Sequence, residues 1–303
     1  MHMAYDEHPS VSSPTTHQIN HHDNQLNSHK AGIILVTVSA IIFSSAGVFT
    51  KTVGSGAWEI IFWRGVFAAG FTTAYVVWRD SFRQDFVLMG RSGWAVAIIG
   101  ASGTAAFIPA FKLTTMANVM LIYAAAPLIA ALLAWFWIKE RMTRRVMLGC
   151  LGAIVGVAII VQGSFGEINL RGDLLALWMT IVMATLMVIY RRYPTTPAAG
   201  PAALSSLVLL PLAILFGNPF AIPIYDFFVM AAFGLVFAIA SVTLAEGMKR
   251  IPAGETALLS ALETPLAPLF GWMFFAEIPA NTTFFGGVVI LFAVLATQIK
   301  PTR

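Results

Sequence analysis

One stretch near the end of the chain decides its fold: Leu262-Glu263-Thr264-Pro265-Leu266-Ala267-Pro268-Leu269-Phe270-Gly271-Trp272-Met273-Phe274-Phe275-Ala276-Glu277. The stretch is apolar almost throughout, but Glu263, Pro265 and Pro268 lie inside it. A membrane helix accommodates such residues least easily in its interior. Lipid offers no partner for a charge, and none for a backbone carbonyl whose hydrogen bond a proline has removed.

The same pattern occurs earlier in the chain. One constant difference in residue number relates the two copies, and we call it the repeat offset. It carries residues of the first half onto identical residues of the second half without a gap: Lys112 onto Lys249, Ala124 onto Ala261, Ala130 onto Ala267, Leu132 onto Leu269, Trp135 onto Trp272, Glu140 onto Glu277 and Gly149 onto Gly286. A constant offset over this length indicates a duplication, and internal repeats of this kind are frequent in transporters.

Composition places the chain among membrane proteins. Hydrophobic residues make up 58% of it, charged residues 11%, and the mean hydropathy is +0.80, which is far outside the soluble range. The net charge of +4 reflects a shortage of acids rather than a basic patch, so we expect no nucleic-acid partner. Cys150 is the single cysteine and lies in an apolar run, which excludes a framework of internal disulfides.

Residues 1–30 form a polar segment that contains all six histidines. The segment has no apolar periodicity, which predicts a disordered tail, and a metal-binding tail is the alternative despite the irregular histidine spacing. We do not expect a signal peptide, because the apolar run after Lys30 is long enough to span a bilayer core of ~30 Å.

The apolar runs predict ten membrane helices, bounded by charges or by glycine and proline clusters. Their ranges are residues 31–51, 57–78, 93–111, 114–138, 145–163, 172–190, 200–217, 226–247, 252–275 and 279–299. The seventh is the weakest, because its surroundings from Tyr193 to Tyr225 carry no charge. Connections are short, so we expect an all-α polytopic membrane protein without a soluble domain.

Lysines and arginines predict the orientation. With a cytoplasmic N-terminus, fourteen of them lie in the cytoplasm against three outside, Lys51, Lys112 and Arg171, as the positive-inside rule requires. Both termini are then cytoplasmic. Five helices per copy is an odd number, so the second repeat, residues 164–303, is inverted relative to the first, residues 31–163. Inverted repeats are typical of secondary transporters that alternate access to a site between the halves.

Two sets of residues, one in each half, carry a family resemblance. They are Pro127, Trp135, Glu140 and Gly149 in the first half and Glu263, Trp272, Glu277 and Gly286 in the second. This pattern resembles the repeat unit of the EamA-like family in the drug/metabolite transporter superfamily, over residues 31–299. Arg64 resembles the arginine that the family carries in its second helix. The second copy departs from the pattern, with Thr264 where the family usually has proline and Pro265 one position later.

Within the superfamily, the run Leu262–Ala267 and the overall layout are most similar to bacterial exporters of aromatic amino acids, the YddG group. The resemblance implies a transporter of the bacterial inner membrane that exports phenylalanine, tryptophan, tyrosine and other neutral amino acids, without a cofactor. An exporter of drugs or other small amphipathic metabolites is the alternative within transport. A non-transporting membrane scaffold or receptor is the alternative outside it.

Thr256, Ser260, Glu263 and Thr264 recur at helical spacing on one face of the ninth predicted helix. Such a face meets protein or a water-filled cavity, and its hydroxyls serve either a substrate or hydrogen bonds between helices. An ionisable group near mid-membrane costs about 2.5–3.5 kcal/mol on insertion scales. Glu263 is therefore a candidate for contact with a substrate or a proton.

The predicted binding site combines polar residues of both halves: Ser44, Asn118, Tyr123, Ser260, Glu263 and Thr264. They line a cavity if the halves meet there, and they are close-packing positions if not. The apolar wall around them favours a largely apolar substrate with a small charged end, because unpaired polar groups are unfavourable in it.

Pro127 and Pro265 are predicted gating hinges, with passive kinks as the alternative. Arg64 is predicted to be a structural charge, and Glu59, which precedes it in the same helix, does not share its helix face. The G-x-x-x-G spacing of Gly152 and Gly156 predicts helix packing within one repeat, with a homodimer contact as the alternative.

No enzyme is expected. The predicted membrane part contains no histidine and no G-x-S-x-G elbow, so hydrolase chemistry has no catalytic set. The absence of a Walker lysine motif argues against a primary pump, and no metal site is predicted. Secondary transport remains as the best interpretation.

Overall fold

The computed structural model describes residues 16–113, 119, 122–123, 125–161, 170–276 and 281–298. Within these residues the chain is helical and forms no strand. The helices are α1 (Thr16–Ser44), α2 (Ala46–Thr52), α3 (Ala57–Trp78), α4 (Gly90–Leu113), α5 (Ala126–Ile138), α6 (Arg144–Val161), α7 (Leu170–Arg192), α8 (Ala199–Val208), α9 (Leu210–Phe216), α10 (Ile224–Met248), α11 (Ala253–Ser260), α12 (Glu263–Phe275) and α13 (Asn281–Gln298). A π-helical turn, Arg83–Val87, lies between α3 and α4.

In the described part of the chain, six helical segments are long and apolar enough to cross a membrane: Asn27–Thr50, Ala57–Trp78, Leu170–Arg192, Ala199–Phe216, Ile224–Met248 and Ala253–Phe275. Two shorter apolar helices, Ala126–Ile138 and Phe284–Ala296, accompany them. The chain is a multi-pass, all-helical membrane protein, in agreement with its composition. The full number of ten membrane helices stays a prediction.

The first helix begins earlier than the sequence predicts. α1 starts at Thr16 rather than at residue 31, so it includes half of the segment predicted to be disordered. Residues 16–30 contain no glycine or proline, and a helix that has formed in the apolar run extends at little cost, because propagation gains one hydrogen bond for each residue fixed. His29 contacts Glu255 of α11 at this end, with 3.2 Å between Nε2 and Oε2.

Two breaks in the described helices are each followed by a proline in the first turn of the next helix. One lies at Leu209, between α8 and α9, and the other at Ala261 and Leu262, between α11 and α12. Pro211 and Pro265 follow them. Proline lacks the N–H that a continuous helix needs, so the helix ends and starts again.

The break at Ser45, between α1 and α2, has no proline. Ser44 Oγ donates to Ala40 O at 2.6 Å and Ser45 Oγ donates to Ile42 O at 2.6 Å. Hydroxyls that bond back to carbonyls of the preceding turn compete with the helical hydrogen bonds and bend helices. This pair of serines is thus the place where the first span is interrupted.

α5 and α12 have the same shape at equivalent positions. The repeat offset carries the bounds Ala126–Ile138 onto Glu263–Phe275. Each helix ends at a residue with positive φ, Lys139 at 56° and Ala276 at 54°. Positive φ is uncommon for residues other than glycine, so its recurrence at the same place in both halves supports the duplication.

Helix packing has the symmetry that a duplication predicts. The first helix of each half packs against the third helix of the other half, α1 against α10 and α7 against α4. The second helices, α3 and α8, pack against each other, and each also packs against the third helix of the other half. Each contact between a helix of the first half and a helix of the second half thus has a counterpart between the equivalent helices of the opposite halves.

The main core cluster of the bundle contains many small residues. Alanines of several helices, among them Ala130 and Ala257, are buried in it beside larger side chains such as Leu258 and Ile290. The largest aromatic side chains lie mostly outside, and Trp78 is 82% and Phe292 71% exposed. This distribution is typical of membrane bundles, where helices associate through close backbone approach, because lipid is as apolar as the side chains.

Gly152 and Gly156 of α6 form a contact surface for α13. A Cβ at Gly156 would lie 2.6 Å from Ile290 Cγ1 and 2.7 Å from Gly286 O, and one at Gly152 would lie 2.9 Å from Ala293 Cβ. The G-x-x-x-G spacing therefore serves packing inside the chain. It joins the two halves, which corrects the expectation of packing within one repeat, and it occupies the face that a homodimer contact would use.

Candidate functional site

Two helix breaks meet inside the bundle. α12 begins at Glu263, directly after its break, and contacts both α1 and α2, which flank the break at Ser45. On the other side of its break, α11 packs against α1 and α5. Broken membrane helices present polar groups that a continuous helix hides, and transporters place substrate sites at such points.

The polar stripe of α11 is enclosed by protein, since all eight residues of this helix are buried. Thr256 Oγ1 donates to Pro252 O at 3.1 Å and is therefore satisfied locally. Ser260 is 2% exposed, and its Oγ has no hydrogen-bond partner among the described residues. Ser260 is thus an unpaired polar group directly beside the break.

Glu263 and Tyr123 are unpaired polar residues from the two halves of the chain. Both side chains are half-buried; Glu263 begins α12, and Tyr123 packs against the apolar cluster that contains Ala106 and Met179. Neither side chain has a hydrogen bond or ion pair with another described residue. A carboxylate without a partner in the membrane is unfavourable, so Glu263 can take water or the polar end of a substrate.

The two predicted hinge prolines lie in the first turns of helices rather than inside continuous helices. Pro127 is the second residue of α5 and Pro265 the third of α12. The Ala261 carbonyl, which Pro265 would otherwise leave unpaired, accepts a hydrogen bond from Thr264 N at 3.1 Å. The kinks that the sequence predicts are therefore helix starts, where proline loses no intrahelical hydrogen bond.

The other predicted site residues differ in what they offer. Thr264 is 4% exposed and follows Glu263 into α12. Ser44 is buried at the break of the first span, but its hydroxyl proton is already donated to Ala40 O, so Ser44 can only accept. Asn118 lies outside the described residues.

Arg64 is buried between α3 and α10 and is 6% exposed. Its Cζ lies 4.2 Å from the ring centroid of Phe237 and 5.6 Å from that of Phe233; we call these two rings the aromatic shelf. A desolvated cation–π contact contributes about 2 kcal/mol. Glu59 is engaged elsewhere, because its Oε1 accepts from Asn218 N at 2.7 Å, in agreement with the prediction that the two do not pair.

Several acidic residues form ion pairs, between or within helices, that the sequence did not predict. The pairs are Glu140 with Arg191 at 3.2 Å, Glu255 with His29 at 3.2 Å, and Glu246 with Lys249 and Arg250, both at 2.7 Å. For Glu140 the sequence did contain an indication of importance, since the repeat offset carries it onto an identical residue, Glu277. Pairs of this exposure stabilise little individually, but they link the segment after α5 to α7 and link α1 to α11.

A separate apolar groove of about 360 Å³ lies between α2 and α10. It is lined by Val48, Phe49, Thr52, Tyr225, Phe228, Val229 and Ala232. None of the predicted site residues lines it, and Phe228 is 64% exposed. This groove opens at the outer surface of the bundle, whereas the unpaired polar groups lie at the helix breaks inside.

The described residues hold no group of three or more His, Cys, Asp and Glu side chains that could bind a metal ion. What the interior offers instead is a few unpaired polar groups at interrupted helices, surrounded by apolar residues. Fold and site together define the class of the protein, a membrane transport protein.

The chain belongs to the EamA-like transporter family. The family model matches it twice, over residues 30–162 and 170–298. The two matches correspond to the two halves that the repeat offset relates. The family prediction is thereby confirmed.

Three relatives illustrate the family. The pseudopaline exporter CntI of Pseudomonas aeruginosa is 24% identical over 280 residues, which cover 88% of this chain and 95% of the relative. An uncharacterized transporter of Archaeoglobus fulgidus is 24% identical over 270 residues, with 87% and 95% covered. Solute carrier family 35 member G1 of the mouse is 22% identical over 294 residues, with 89% and 78% covered.

A solved crystal structure superposes on the chain with a TM-score of 0.78 at 19% identity, covering 91% of this chain and 99% of that one. At this identity the likeness establishes the fold alone. The relatives are transporters, so the coarse function is established as well. The narrower similarity to aromatic amino acid exporters is not supported by these comparisons.

Proposed function

We propose that the protein is a secondary transporter that exports small amphipathic molecules by alternating access, with aromatic and other neutral amino acids as its substrates. One observation carries the proposal. Ser260 and Glu263, at the break between α11 and α12, and Tyr123 of the first half are unpaired polar groups among the described residues, inside a bundle whose buried residues are mostly apolar.

The chemistry of these groups matches a zwitterion with a large apolar side chain. The Glu263 carboxylate accepts hydrogen bonds from an ammonium group, and the Tyr123 and Ser260 hydroxyls supply donors and acceptors. The apolar surroundings suit a side chain such as that of phenylalanine. A sugar fits poorly, because most of its hydroxyls would remain unpaired against alanine and leucine.

The exchanged packing of the two halves supports alternating access. If the second half is inverted, exchanging the conformations of the halves turns an inward-open state into an outward-open state of similar energy. We propose that both termini are cytoplasmic, that the protein lies in the bacterial inner membrane, and that residues 1–15 precede α1 in the cytoplasm. The transporting unit is one chain, with a homodimer as the alternative.

A second candidate is the export of another amphipathic metabolite or a drug. The pseudopaline exporter, 24% identical to this chain, supports this alternative, since its name describes export of a metabolite. A scaffold or receptor without transport activity is the alternative of another class, and the family relationship disfavours it.

Purified protein in liposomes tests the proposal. Fluxes of radiolabelled phenylalanine, threonine and a hydrophobic cation are compared with and without a pH gradient, in wild type and in Glu263→Gln. Glu59→Gln is the matched control, because Glu59 bonds to Asn218 N near the start of α3 and is outside the site.

We expect phenylalanine flux that Glu263→Gln abolishes and Glu59→Gln leaves intact. Cation flux without amino acid flux would assign the protein to drug export. Flux of no substrate from folded protein would leave the scaffold or receptor interpretation.

A further inference from the structure

Arg64 is a buried cation without a counter-ion among the described residues. It is 6% exposed, its Nε has no hydrogen-bond partner, and no described carboxylate lies within ion-pair distance of it. Arginine stays protonated in proteins, so burial does not remove this charge. An unpaired buried charge is strongly unfavourable, and the proposed contacts at Glu263 leave it unexplained.

The acids of the two helices that enclose Arg64 all have other partners. Glu59 of α3 accepts from Asn218 N. On α10, Asp226 Oδ2 accepts from Ser55 N at 3.0 Å and from Ser55 Oγ at 2.6 Å, and Glu246 pairs with lysine and arginine at the opposite end. The anion that would neutralise Arg64 is therefore not supplied by α3 or α10.

The aromatic shelf lies against the guanidinium and connects it to the break of the first span. The guanidinium carbon lies over the Phe237 ring at 4.2 Å and over the Phe233 ring at 5.6 Å from the ring centroids, and a ring carries no negative charge that could neutralise the cation. Phe237 packs on Phe43 at 5.6 Å and Phe233 stacks on Phe49 at 5.1 Å. Because Phe43 and Phe49 flank Ser45, the guanidinium lies beside this break, which α12 also contacts.

The geometry points to a carboxylate-binding site at Arg64, in which the planar fork of the guanidinium binds the carboxylate of the transported molecule. The inference rests on the proposed function and deepens it. The substrate class is an apolar molecule with one carboxylate, because a single arginine matches a single carboxylate and the described residues place no second cation on the shelf.

Paired ligands test the site. Phenylalanine and phenylalaninamide share ring and ammonium group, but the amide has no carboxylate. Their transport is compared in wild type, Arg64→Lys and Arg64→Gln, with Arg79→Gln as matched control. Arg79 also lies over a ring, that of Tyr75 at 5.4 Å, but it follows the end of α3 at Trp78.

We expect wild type to prefer phenylalanine. Arg64→Gln raises the KM for phenylalanine at least about tenfold and leaves that for the amide unchanged. Arg64→Lys is intermediate, since lysine keeps the charge but not the bidentate fork, and Arg79→Gln behaves as wild type. If Arg64→Gln does not fold, Arg64→Lys carries the comparison.

Two results would overturn the site while transport itself stands. The first is equal affinity of the wild type for the two ligands. The second is an equal loss of affinity for both ligands in the Arg64 variants, which is the behaviour of a structural charge. If the protein transports neither ligand, the proposed function fails separately. Binding of 3-phenylpropionate, measured as the rise in unfolding temperature that it causes, then tests carboxylate binding at Arg64. An equal rise in wild type and Arg64→Lys refutes the site.

Discussion

Gly156→Ala measures how closely the two halves are packed. The added methyl group would lie 2.6 Å from Ile290 Cγ1 and 2.7 Å from Gly286 O, whereas carbon atoms in contact are separated by about 3.5–4.0 Å. Ile290 is fully buried and Gly286 O is backbone, so neither yields without moving α13. We expect a loss of about 1–3 kcal/mol from overpacking.

Gly70→Ala is the matched control. Gly70 also lies inside a helix, α3, but a Cβ there would meet nothing within 4 Å. Alanine favours the helix over glycine by about 1 kcal/mol at either site, so this gain cancels in the comparison. The difference between the two variants in free energy of unfolding, measured by SDS titration of the purified protein, then reports the overpacking alone.

The double variant Gly156→Ala with Ile290→Ala adds a second criterion. Removing the Ile290 side chain makes room for part of the new methyl group, so the double variant should lose less than the two single losses added together. Stability of Gly156→Ala equal to that of Gly70→Ala would refute the α6–α13 contact. A change of oligomeric state without rescue by Ile290→Ala would instead assign Gly156 to a homodimer.

Three further predictions concern transport and topology. Glu263→Gln should abolish transport or remove its pH dependence, and flux that keeps its wild-type profile between about pH 6 and pH 8 would reduce Glu263 to a packing group. Pro265→Ala allows α11 and α12 to join, so transport should slow several-fold while folding and substrate affinity stay near wild type; a wild-type rate would show that the proline is passive. Cysteines at Gly166 and Ala280 should react with a membrane-impermeant reagent from outside and one at Thr143 only from inside. Labelling of Thr143 and Ala280 from the same side would contradict the inverted repeat.

Local patterns predicted much of the fold. The apolar runs indicate membrane helices because the requirement to span the bilayer acts on each segment separately. The repeat offset identified α5 and α12 as equivalent, and the structure gives both helices the same length and the same left-handed end. These features depend on residues close together in the sequence or on comparison of the chain with itself.

Features that depend on distant partners could not be predicted in this way. The aromatic shelf of Arg64 is formed by residues of the other half of the chain, and only packing brings α10 to α3. The break at Ser45 was missed because serine is compatible with a membrane helix, and its effect depends on which carbonyl the hydroxyl selects. The start of α1 at Thr16 was missed because composition describes a segment by itself, without the helix that it continues.

The alanines that α5 and α11 bring to the core have a consequence for how these helices would move. A surface of large interlocking side chains can change register only if many χ angles are reset together, and each reset adds to the barrier. Alanine has no side-chain rotamers to reset. α5 and α11 pack against each other and bring Ala130, Ala134, Ala253 and Ala257 to the core. At these alanines the two helices can therefore slide by small translations without resetting rotamers, so this contact is suited to shear between packed helices.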